Sequence, residues 1–122
     1  MQKVFVMYKL LPGVTLDQYM SWSKEIDQRI TPGQEGIIRF EVYAIEHIDG
    51  AGGGQYEVVE DIEVESWDAF QRCVASPGMA YVQETFPRYA DESTLVVLCG
   101  SRILATVEHG ARPPLPVGAP GA

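Results

Sequence analysis

The sequence predicts an α+β domain in which four strands and two helical segments follow one another in the order β-α-β-β-α-β. Three observations carry this. Stretches rich in β-branched and aromatic residues alternate with stretches of helical periodicity. Gly, Pro and Ser clusters separate them. A chain of 122 residues, 46% of them hydrophobic, supplies one core and not two.

The first strand spans residues 2–10, Gln-Lys-Val-Phe-Val-Met-Tyr-Lys-Leu, and Leu11-Pro12-Gly13 breaks it. Thr15-Leu16-Asp17-Gln18 has the form of a capping box, in which a hydroxyl and an amide side chain satisfy early helix amides. Leu16, Tyr19, Met20, Ser23, Ile26 and Ile30 follow at helical spacing, predicting an amphipathic helix over 16–30 that Thr31-Pro32-Gly33 stops. Residues 36–48 form the second strand, with Ile38, Phe40, Val42 and Ala44 alternating against Arg39, Glu41, Tyr43 and His47. The glycine-rich connection Asp49–Gly54 leads to a third strand over 55–65. Ser66 caps a short helix carrying Trp67, Phe70 and Val74. After Ser76-Pro77-Gly78, Met79, Val82, Phe86 and Tyr89 share one helical face, and residues 93–104 form an apolar fourth strand.

This order is the split βαβ plan of ferredoxin-like domains, an antiparallel sheet with helices on one face. The opposite face would carry Phe5, Met7, Tyr43 and Ile45, too apolar to leave wet, so a homodimer is expected, two sheets packing as a dimeric α/β barrel. The domain is expected over 1–109. Residues 110–122, with four prolines and three glycines, read as a flexible arm.

A net charge of −8 without a Lys/Arg cluster argues against nucleic-acid and anionic-membrane partners. The longest apolar run, Leu95–Gly100, is too short to span a bilayer. The first residues enter a strand directly rather than a signal peptide, so a cytoplasmic protein is expected. Cys73 and Cys99 both lie in apolar segments and read as buried, unpaired thiols.

Two acids interrupt apolar faces. On a helical wheel, Asp27 falls within the stripe of Leu16, Met20, Ser23 and Ile30; Glu60 sits among Tyr56, Val58, Ile62 and Val64 on one face of the third strand. If both project into one cavity, burial raises their pKa values and prepares them for proton transfer near neutrality. The competing reading sends Asp27 to solvent from the last helical turn and gives Glu60 a structural hydrogen bond. Tyr8 shares a strand face with Val4 and Val6, where its hydroxyl needs a partner that a carboxylate would supply. Trp22, on the helix flank beside Ile26, is a candidate wall for an aromatic ligand, with simple packing as its alternative. His47 is the general base by residue type, yet strict alternation places it with Tyr43 on the dimer-facing side. His109 borders the arm and reads as inert. Neither His has a second His or Cys at ligand spacing, so no metal and no cofactor is expected.

Tyr8-Lys9-Leu10-Leu11-Pro12-Gly13-Val14 resembles the strand-end signature of stress-responsive dimeric α/β-barrel proteins. Val64-Glu65-Ser66-Trp67-Asp68-Ala69-Phe70 and Ser76-Pro77-Gly78-Met79 are similar to the third-strand exit and helix of that superfamily. Trp22, Asp27 and Pro87-Arg88-Tyr89-Ala90-Asp91 resemble its RedY/HapK-like branch, and the likeness extends over about 2–104. It implies a link to pyrrole- and indole-type natural-product pathways, within a superfamily that includes cofactor-independent cyclases, oxygenases and haem-handling enzymes. The polyketide cyclases of the superfamily use a Tyr and a His around the helix after strand three. Their positions match Cys73 and Met79 here, and the first-strand His common in the stress-responsive group matches Val4.

The expected activity is therefore acid/base-catalysed cyclisation or rearrangement of a small aromatic metabolite by a cofactor-independent enzyme. Glu60, Asp27, Tyr8 and His47 are its candidate catalytic residues. Trp22, Ile26, Phe40, Cys73 and Met79 are the candidate substrate contacts. The alternatives are a cofactorless oxygenase of the same barrel class and a non-catalytic protein that holds an unstable metabolite.

Overall fold

The computed structural model describes residues 1–50, 56–103 and 113–121. Strands β1 (Gln2–Leu10), β2 (Ile37–Ala44), β3 (Val58–Val64) and β4 (Ala90–Gly100) form one antiparallel sheet in the order β2-β3-β1-β4. Helices α1 (Leu16–Trp22), α2 (Gln28–Ile30), α3 (Trp67–Val74) and α4 (Ala80–Thr85) occur in the two long crossovers. They cover one face of the sheet, which is the ferredoxin-like plan.

Alternation along β1 and β3 decides what is buried. Val4, Val6, Tyr8 and Leu10 point to the helices together with Val58, Glu60, Ile62 and Val64. Tyr19, Trp22, Met79 and Val82 close over them. The capping box forms: the Gln18 amide donates to Thr15 Oγ1, and the Thr15 amide donates to Gln18 Oε1. Ser66 Oγ likewise accepts from the Ala69 amide at the start of α3.

The segment after the first strand is not a regular α-helix. A π-helical turn, Ser23–Asp27, separates α1 from α2. Such a turn closes i→i+5 bonds and shifts the register of the buried face. Residues four apart then stay in column, and the buried residues are Tyr19, Ser23, Asp27 and Thr31, with Trp22 beside them. Leu16, expected in the stripe, is exposed, while Met20, Ile26 and Ile30 are half-buried at its margin.

Other boundaries move as well. Strand β2 ends at Ala44 rather than 48, and among the described residues Ile45 N–H to Glu57 O is the last ladder bond between it and the chain leading into β3. Its pairing also carries an irregularity between Ile37 and Arg39. Strand β4 starts at Ala90, three residues early, held to Leu10 of β1. The expected extension of β4 to 104, His109 and the glycines at 51–54 lie outside the described residues. Cys73 is buried and unpaired, but Cys99 is exposed, a correction that follows from its place on edge strand β4, which has a neighbour on one side only.

On the sheet's other face Phe5 stands opposite Leu98, Met7 opposite Val96, and Tyr43 opposite Val59. Phe5, Tyr43 and Leu98 are each more than a third exposed. Lys3 and Asp61 form an ion pair at 2.8 Å on the same face.

Candidate functional site

The site is built from the two crossovers and the centre of the sheet. Glu60 stands opposite Val6 on β1 and Val42 on β2, so it lies in the middle strands with apolar neighbours on both sides. Asp27 descends on it from the end of the π-helical turn. Both carboxyls line one cavity of about 210 Å³. Val6, Phe40, Ile62, Phe70, Met79, Val82 and Phe86 supply its apolar walls. Gln83, Glu92, Leu95 and Val97 are exposed members of the lining, so the cavity opens between α4 and edge strand β4.

Each acid is held through one oxygen. Tyr8 Oη donates to Glu60 Oε2 at 2.7 Å, and Thr31 Oγ1 donates to Asp27 Oδ1 at 2.5 Å. Among the described residues no buried side-chain polar atom lacks a partner, which leaves Glu60 Oε1 and Asp27 Oδ2 as the oxygens with access to the cavity. Tyr8 and Tyr19 hydroxyls are 2.5 Å apart and their rings meet edge to face. Gln28 Nε2 donates to Ser23 Oγ at 3.1 Å. Polar groups so enclosed are satisfied in sequence, which removes the 1–3 kcal/mol that each would otherwise cost (about that much per buried unpaired group).

Burial raises both carboxyls, because the charged form loses its hydration. Asp27 is pushed up to about 6, with the Thr31 hydrogen bond opposing part of the rise. Glu60 is pushed up to about 8, first by burial and then by the charge of Asp27, against the Tyr8 hydrogen bond. Two acids on one cavity thus ionise in turn. Asp27 is the first of the two to ionise, and Glu60 keeps its proton to higher pH. Tyr8 and Tyr19 are raised far above the ordinary phenol value, again by burial first, and stay neutral.

The remaining sequence candidates divide. Phe40 and Met79 line the cavity. Tyr8 acts on it through Glu60. Trp22 is packed behind it: its indole N–H donates to Thr85 Oγ1 at 2.7 Å, and its ring stacks on Tyr89. Ile26 is half-buried against the core, outside the lining. Cys73 borders a different groove of about 330 Å³ with Gln34, Glu65 and Arg72, and burial pushes its thiol up. His47 is exposed on the chain beyond β2 and does not join the acids. The residues that sequence reasoning left without a role are Tyr19, Ser23 and Thr31. Their signal was polarity at a spacing of four, in register with Asp27.

No group of three His, Cys, Asp or Glu side chains gathers to hold a metal ion among the described residues, and none of their helices is long and apolar enough to cross a membrane.

Comparison with known proteins agrees with this architecture. No curated protein sequence matches the chain. It is similar to the crystal structure of HapK from Hahella chejuensis, with a TM-score of 0.70 and 20% identity over 90% of this chain and 100% of that one. A dimeric protein of ferredoxin-like fold from Bacteroides fragilis gives a TM-score of 0.62 at 13% identity, covering 83% of this chain and 95% of the other. A dimeric ferredoxin-like protein from Thermobifida fusca gives 0.63 at 12%, covering 83% and 90%. At such identities the solved structures establish the fold alone. The family described as REDY-like protein HapK matches residues 2–103, and the chain belongs to that family.

Proposed function

We propose that this chain is a cofactor-independent enzyme acting on a small aromatic or heteroaromatic intermediate of pyrrole- or indole-type natural-product biosynthesis, by acid/base-catalysed cyclisation or rearrangement. One observation carries the reading: two buried carboxyls, poised on either side of neutrality, border one apolar cavity. Such a pair lets a base take a proton while an acid supplies one, and enclosure holds a reactive substrate in one orientation. Asp27 is the base and Glu60 the acid, with Tyr8 positioning Glu60. Phe40, Met79 and Phe86 form the aromatic and thioether walls that a flat ligand needs. The working form is a homodimer whose outer sheet faces pack together, which would bury Phe5, Tyr43 and Leu98.

The test uses 5-nitrobenzisoxazole, a flat heteroaromatic that opens when a base removes its ring C–H, the N–O bond breaks and the phenolate oxygen leaves. The wild-type protein should accelerate opening above free carboxylate at matched pH. Asp27→Asn and Glu60→Gln should each lose at least about tenfold, the lower range of a general acid or base contribution. A protein that binds the compound but opens it no faster than acetate would instead be a metabolite-holding protein.

A further inference from the structure

Charge around the cavity is all of one sign. Asp27, Glu60 and Glu92 belong to its lining, and no Lys, Arg or His of the described residues joins them. The ion pairs among the described residues are Lys3 with Asp61, Arg29 with Glu25 and Arg39 with Glu41, and none of them reaches these three acids. Asp27 and Glu60 are only 3% and 8% exposed. Each gives one oxygen to a hydroxyl donor and keeps the other toward the cavity. A carboxylate so deeply buried is ordinarily matched by a cation, and here the chain supplies none. The walls are suited to one. Phe40, Phe70 and Phe86 line the same space, and an aromatic face attracts positive charge through its quadrupole. Glu92, exposed on β4, extends the negative charge to the mouth.

We propose that the cavity selects an aromatic ligand carrying a positively charged nitrogen, a protonated amine or ring nitrogen, with Asp27 and Glu60 as its counter-charge and Glu92 as a specificity residue at the mouth. Such a ligand brings the charge that the chain lacks. It also relieves the repulsion between the two buried acids, since the charge of Asp27 opposes ionisation of Glu60. An anionic ligand of the same shape meets three carboxyls and no group of opposite charge. This inference rests on the reading of the cavity as a ligand site.

N-methylquinolinium and 1-methylnaphthalene test it, because they have the same shape and differ by a permanent positive charge. Binding of each to the full-length protein is measured by ligand-observed NMR at pH 7. The readout is the ratio of the two affinities, in which effects on packing cancel. Both should bind the wild type and compete for one site. In the double variant Asp27→Asn, Glu60→Gln the ratio should fall at least about tenfold, the loss expected when a buried partner charge is removed. The acids are neutralised together because removing one eases ionisation of the other. Glu92→Lys is an exposed change and serves where the double variant does not fold. It should lower the ratio about threefold, and that part should fade at high salt. Wild type that binds 1-methylnaphthalene but not N-methylquinolinium, or a ratio unmoved in both variants, would overturn the charge selection and leave the cavity standing. A fall in the double variant alone would keep the selection with the buried pair and overturn the part given to Glu92. Failure of 1-methylnaphthalene to bind would overturn the cavity as a ligand site, and its selectivity with it.

Discussion

Tyr8 and Glu60 lie on neighbouring strands without facing each other. Glu60 is opposite Val6, and Tyr8 is opposite Val58, yet the Tyr8 hydroxyl reaches the Glu60 carboxyl at 2.7 Å. The contact is a diagonal across an antiparallel pair, a spacing that only a long side chain spans. It fixes a carboxyl at the centre of the sheet, where the apolar residues around it would otherwise make burial untenable.

That burial makes stability depend on pH. Asp27 and Glu60 titrate above their ordinary values in the folded state, so folded protein retains protons that the unfolded chain releases. Their contribution is complete below about pH 4 and is lost as pH rises through about 6 and then about 8. Wild type should lose stability relative to Glu60→Gln between pH 5 and 8.5, by at most about 1.4 kcal/mol for each pH unit in which Glu60 holds its proton only when folded. Urea unfolding at both pH values measures this. Parallel pH profiles for the two proteins would contradict it.

Replacing Glu60 by Leu should separate stability from activity. Leu removes a buried polar group in apolar surroundings, and a swap of this kind is often neutral or stabilising by roughly 1–4 kcal/mol. Tyr8 loses its acceptor in the same change, at a cost of about 1–3 kcal/mol, so a melting temperature no lower than that of Glu60→Gln at pH 8 is expected, with ring opening of 5-nitrobenzisoxazole abolished. Retained turnover in Glu60→Leu would remove Glu60 from the chemistry.

The outer sheet face should hold the dimer. Tyr43→Lys removes an aromatic ring from the expected interface and places a charge there beside Val59 and Glu41. Sedimentation should show a dimer for wild type at micromolar concentration and a weaker one for the variant. A wild-type monomer would contradict the assembly.

The last residues should be dispensable for folding. Most of 113–121 is exposed, and Val117 is fully so. Truncation after residue 109 should leave the melting temperature within a degree or two of wild type; a larger drop would show that the arm docks.

The fold was legible because strand alternation and capping are local. Val4, Val6 and Tyr8 declare one face of β1, and Thr15 with Gln18 fixes where the helix begins. Asp27 and Glu60 were legible as acids out of place in apolar stripes. What joins them was not. A wheel turning 100° per residue assumes a regular helix; with the π-helical turn at Ser23–Asp27, Tyr19 and Ser23 of the expected stripe stay buried in one column with Asp27 and Thr31, while Leu16 is exposed and Met20, Ile26 and Ile30 lie at the margin. His47 was placed by alternation along a strand that ends three residues before it. Cys73 and Trp22 are buried as expected of pocket walls, but burial alone does not say which cavity a side chain borders.

The central claim is that Asp27 and Glu60 share an enclosed site and ionise in turn, and side-chain carboxyl 13C NMR across pH 3 to 10 measures it directly. Two carboxyl resonances should titrate above the ordinary 3.9–4.3 of free Asp and Glu, one through about 6 and one through about 8. In Asp27→Asn the resonance of Glu60 should move down, because the charge opposing its ionisation is gone. A wild-type protein in which every Asp and Glu carboxyl titrates below 5, or an Asp27→Asn spectrum with Glu60 unmoved, would contradict the shared site.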